Sequence, residues 1–167
     1  MGAEAFFYSG VGARDHEPEA VAIIGELARE ISDLGGILRT GKAKGIDRLF
    51  RDSHPGERDI ISDKGVPPPE AYDIAARNHG AWHLCDDRTR AVHARNAMIH
   101  LGADTVSPVR FGLVWSSAGI EDMGGSALGM RICREFGIPS FNVRDPARLS
   151  AFRRFLADLG EASAFSP

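Results

Sequence analysis

The sequence predicts an α/β fold: a doubly wound, mostly parallel sheet of Rossmann-like type in a single domain, with a helical insertion around residues 62–105. Three observations carry that reading. Short apolar runs alternate along the chain with stretches of helical spacing. Much of the glycine falls in three loops, 9–14, 40–47 and 116–126. Each loop follows a predicted strand, so all three open on the carboxyl edge of a parallel sheet, the edge where such sheets bind ligands.

In order, Ala5 to Tyr8 is an apolar, aromatic run bounded by glycine and reads as a buried strand. A helix follows from Pro18 to Leu34, where Val21, Ile24, Leu27, Ala28 and Ile31 give one apolar face and Gly35-Gly36 end it. Ile37 to Arg39 is the second strand and Arg48 to Asp52 a short helix, broken by His54-Pro55-Gly56. Asp59-Ile60-Ile61 reads as a third strand. Pro67-Pro68-Pro69 is an extended linker. Helices are expected over 70–79 and 88–101, forming the insertion between strands, partly exposed. Val109 to Trp115 is a strong strand, Ala127 to Phe136 a helix ended by Gly137, and Pro139 to Val143 a last strand. Asp145-Pro146 starts a helix that runs to Leu159. The domain is expected to span 1–160 and to leave 161–167 as a loose tail.

A chain of 167 residues has enough material for one substantial core. A net charge of −3 argues against a general nucleic-acid coat. No run of ~18 apolar residues suggests a membrane span, and the N-terminus lacks a signal-peptide pattern. Cys85 and Cys133 lie far apart, which fits a reducing, cytoplasmic setting.

The central motif is Thr40-Gly41-Lys42-Ala43-Lys44-Gly45-Ile46-Asp47. A strand, a glycine loop and a helix bring backbone N–H groups and a positive helix end toward an anion. Lys42 and Lys44 add charge, and Asp47 either caps the helix or accepts from a ligand hydroxyl. Ser9, Gly10, Gly12 and Arg14 supply the first loop, where Arg14 either clamps a phosphate or pairs with Asp15 or Glu17. Ser116, Gly124, Gly125 and Ser126 supply the third. Arg88, Arg90, His93, Arg95 and Asn96 form a basic, polar cluster on a predicted helix; Arg95 and Asn96 are the candidates to touch a ligand. His79, His83, Cys85 and Asp86 match no structural-zinc spacing, and no metal is expected.

The segment Phe7 to Arg14 resembles the first strand and loop of the Rossmann domain of DNA-processing protein A (DprA). Thr40 to Asp47 is similar to that family's Ser-Gly-x-Ala-x-Gly-Ile-Asp signature, with threonine in place of serine. Gly124-Gly125-Ser126 with Gly129 resembles the third glycine loop of the wider SLOG group, which includes the Lonely Guy nucleotide hydrolases and sensors of nucleotide-derived signals. The resemblance implies a phosphate-binding pocket and a nucleotide or nucleotide-derived ligand, with single-stranded DNA as an alternative partner. It also implies a homodimer, and it requires no further cofactor. Where the Lonely Guy hydrolases carry a catalytic glutamate, this chain has Arg131, preceded by Ala127 and Leu128 in place of glycine and threonine. Binding by a sensor, sequestering or accessory protein is therefore expected ahead of N-glycosidic hydrolysis.

Overall fold

The computed structural model describes residues 4–165. Five strands form one sheet, all parallel, in the order β3-β2-β1-β4-β5. They are β1 (Phe6–Gly12), β2 (Gly36–Thr40), β3 (Arg58–Ile60), β4 (Phe111–Trp115) and β5 (Ser140–Asn142). The helices are α1 (Pro18–Asp33), α2 (Ile46–Ser53), α3 (Pro69–Asn78), α4 (Asp87–Leu101), α5 (Gly125–Glu135) and α6 (Pro146–Ala164). The Rossmann-like α/β arrangement expected from the sequence is the one observed.

Alternation along β1 divides the core between two faces. Phe6 and Tyr8 point to one face, with Leu38, Phe111, Leu113 and Phe141 from the neighbouring strands. That face is covered by Ile24, Leu27 and Ile31 of α1, Phe50 of α2, and Phe152, Leu156 and Leu159 of α6. Phe7 and Val11 point to the other face, which is covered by Ile74 of α3, Ala97 and Leu101 of α4, and Leu128, Ile132 and Cys133 of α5. Helices on both faces explain why β4 reads as an unbroken apolar run, since every residue in it is buried.

Residues 62–105 form the helical, partly exposed insertion between strands that the sequence leads one to expect. They form the crossover from β3 to β4, and α4 packs on β1, β2, α3 and α5. Its inward residues include His93, Ala94, Ala97 and His100. Small residues and histidines take up much of this interface beside Ile99 and Leu101, so hydrophobic spacing reveals it only weakly. A 3-10 turn at Trp82–Leu84, not foreseen, separates α3 from α4. At the C-terminus α6 runs past Leu159 to Ala164, where Ser163 Oγ donates to Leu159 O at 3.0 Å. The expected loose tail is thus helical through Ala164; residues 166–167 lie outside the described residues.

Candidate functional site

The sheet order sets the site. From β1 the chain winds outward to β2 and β3, then returns over the opposite face to β4, on the other side of β1. The connections after β1 and β4 therefore diverge to opposite faces and leave a crevice between their C-terminal ends. A cavity of about 710 Å³ opens there. Its lining comes from Gly12, Ala13 and Arg14 after β1, from Ala43 and Asp47 of the second loop, and from Gly125 and Ser126 at the start of α5. Asp86, the N-cap of α4, and Arg88, Thr89, Val92, His93, Asn96 and His100 within that helix close it.

Close backbone packing builds the floor. Ala13 N–H donates to Trp115 O at 3.0 Å, and Ile46 N–H donates to Ala13 O at 3.0 Å. Such proximity excludes side chains at two glycines. A Cβ on Gly12 would lie 2.3 Å from Trp115 O. Gly45 has φ +75°, and a Cβ there would lie 2.2 Å from Arg14 O. Arg51 donates to Gly41 O and, at 3.1 Å, to Ala43 O, fixing the second loop from behind.

Asp47 joins the first two loops. It is 6 % exposed, and its Oδ1 accepts from Gly12 N–H at 3.3 Å. Burial pushes its pKa up to about 6, against the opposing pull of the Gly12 and Gly41 N–H groups and the Arg51 charge. His100 lies deeper, 1 % exposed, and its Nδ1 is 2.9 Å from Ser9 Oγ. Burial first, then the Arg39 charge, lowers its pKa to about 4, so the ring is neutral at pH 7.

Six of the expected residues line the cavity: Gly12, Arg14, Asp47, Asn96, Gly125 and Ser126. Seven more frame it without lining it. Ser9 holds His100; Gly10 packs on Phe50 and its carbonyl accepts from Thr40 Oγ1 at 2.5 Å. Gly41 and Gly45 shape the second loop. Ser116 is buried, with its backbone held by Asn142 and its Oγ accepting from Ala118 N–H. Gly124 caps α5. Three lie elsewhere. Lys42 is exposed and pairs with Asp63 at 3.5 Å, Lys44 is exposed, and Arg95 donates to Gly65 O at 2.8 Å.

Arg14 does not pair with Glu17, whose carboxylate is taken by Arg144 at 2.8 Å and by Trp115 Nε1 at 2.9 Å. Arg131 spans three carbonyls: its Nε donates to Asn78 O, and its Nη1 to Ile120 O and Asp122 O, at 2.7–2.8 Å. It fastens the β4–α5 loop to the end of α3.

Thr89 and Val92 are not expected from the sequence, which offers Arg88 only as sharing with Arg95 a helix face that could turn to phosphate. They recur with Asn96 on one face of α4, a periodicity masked by the charges around it. One further grouping escaped the spacing argument. His79 and Cys85 do come together, and the third member is His93 of α4, while His83 is exposed. No protein-family model, curated protein or solved structure matches this chain.

Proposed function

We propose that this protein binds a nucleotide or nucleotide-derived phosphate in the crevice between β1 and β4, and acts as a sensor, sequestering or accessory protein. The observation that carries this is the make-up of the cavity wall. Arg14 and Arg88 face a common space with the N-terminal turns of α4 and α5, and neither arginine has an ion pair among the described residues. Two guanidinium groups and the N-terminus of α5, which no side chain caps, favour phosphate oxygens; the N-terminus of α4 is capped by the Asp86 carboxylate, which accepts from Thr89 N–H at 2.8 Å. Asp47 and Asp86 on the same wall suit ribose hydroxyls, which favours a nucleoside phosphate over a bare anion. A cavity of about 710 Å³ fits a ligand of that size. The resemblance of the glycine loops to the SLOG group points the same way. Arg131, spent on loop carbonyls, stands where hydrolysis would place a carboxylate.

The test is calorimetric titration of a panel of nucleoside mono-, di- and triphosphates into the wild type and an Arg14→Ala/Arg88→Ala double variant. At ligand concentrations of about 100 Kd, the wild type gains about 2.7 kcal/mol of stability. The double variant, altered only at exposed side chains, keeps its fold and loses most of that gain. No heat in the wild type, or equal affinity in both proteins, defeats the proposal. A short single strand of DNA with steeply salt-dependent binding would instead favour the nucleic-acid alternative.

A further inference from the structure

We propose that His79, Cys85 and His93 form a binding site for a divalent cation of the zinc class. The three come from separate pieces of chain. His79 follows the last residue of α3, Cys85 follows the 3-10 turn, and His93 lies on the inner face of α4. One ligating atom from each lies within 4.8 Å of the other two. His79 Nε2 and Cys85 Sγ are 3.8 Å apart. That is close to the separation of a nitrogen and a sulfur bound to one zinc at about 2.0 and 2.3 Å.

His93 provides the second, independent observation. It is 8 % exposed, and its Nδ1 is buried with no hydrogen-bond partner. An imidazole with a buried nitrogen that no protein group uses has a ring atom free for a ligand. Two imidazoles and a thiolate select zinc over magnesium or calcium, which take oxygen.

Binding requires local changes around the ligands. Cys85 releases its thiol proton to solvent as the sulfur–metal bond forms. In the metal-free protein His79 Nδ1 accepts from Ala81 N–H at 3.1 Å, which leaves the ring proton on Nε2, facing the sulfur. Coordination through Nε2 moves that proton to Nδ1, and the Gly80–Ala81 peptide turns so that the Gly80 carbonyl accepts it. Gly80 has open space around it, with no atom within 4 Å of where a Cβ would stand. The three ligating atoms, already within 4.8 Å of one another, draw together onto one ion. His93 also lines the cavity, so the ion would stand at the cavity's edge.

The full chain, stripped with a chelator and free of nucleotide, is titrated first with Co²⁺ and then with Zn²⁺. The expected result is one ion per chain, a near-ultraviolet sulfur-to-cobalt charge-transfer band that zinc abolishes, and one proton released per ion. Cys85→Ser removes the band. His79→Gln and His93→Gln each weaken zinc binding by about a hundredfold or more, whereas His83→Ala leaves it unchanged. Circular dichroism of each metal-free variant checks folding; if His93→Gln fails to fold, His79→Gln alone decides. Binding of less than about a tenth of an equivalent overturns the proposal. So does a band that survives Cys85→Ser, or wild-type affinity in the folded glutamine variants. Nucleotide is absent throughout, so this outcome is independent of the nucleotide-binding test.

Discussion

Replacing Asp47 with asparagine should change how stability depends on pH, by an amount the site fixes. Ionised Asp47 is costly in the fold because burial outweighs the Gly12 and Gly41 N–H groups that favour its charge. Its pKa rises from 3.8 to about 6 on folding. Between those values the folded state keeps a proton that the unfolded chain has lost. The stabilisation from that proton is therefore full below pH 3.8 and is lost as pH rises through about 6. Integrated from the two pKa values, it is about 2 kcal/mol at pH of about 4.5 and close to zero by about 7.5. Asparagine keeps an oxygen to accept from Gly12 N–H and carries no charge at either pH. Relative to wild type, Asp47→Asn should thus gain about 2 kcal/mol between those two pH values, or about 4–8 °C in Tm. Urea unfolding of both proteins at each pH measures the difference, and titrations common to both chains cancel. A gap that moves by less than about 0.5 kcal/mol would refute the assignment of Asp47 as a buried carboxyl under strain.

Two further substitutions test the loop framework. Gly45→Ala places a Cβ 2.2 Å from Arg14 O at φ +75°, and should cost about 3 kcal/mol or more by urea unfolding. Gly25→Ala is the control, inside α1 with no atom nearer than 3.5 Å; it should gain about 0.5–1 kcal/mol, and equal effects at both sites would contradict the packing described. Arg131→Met leaves Asn78 O, Ile120 O and Asp122 O without their donor. It should cost about 1–3 kcal/mol and speed amide exchange across residues 116–124; unchanged exchange there would show that the arginine does not hold the loop.

The sequence made the strand ends legible, because a parallel sheet buried on both faces writes its strands as apolar runs and its turns as glycine. That sufficed to bring Gly12, Asp47 and Gly125 to one rim. It could not say which charges point inward. Lys42 and Lys44 sit in the most specific motif yet face away, since Ala43 and Asp47, rather than the lysines, turn toward the cavity. Arg95 and Arg88 lie seven residues apart, nearly on one face of α4, but only Arg88 reaches the cavity; Arg95 bonds the Gly65 carbonyl. The grouping of His79, Cys85 and His93 was hidden for a related reason. Its members meet only because α4 packs against α3, a tertiary fact with no local spacing to announce it.

The central position of β1 also bears on how the chain is made. β1 gains its first neighbour when β2 emerges, but its other edge must wait for β4, whose last residue follows the end of β1 by about 100 residues. At synthesis rates of about 5–20 residues per second, that edge stays open for about 5–20 s. An apolar strand with unpaired N–H and C=O groups invites pairing with other nascent chains. The winding order that creates the crevice therefore also exposes this protein during synthesis, and a chaperone that shields β1 until Phe111–Trp115 arrive should raise its soluble yield.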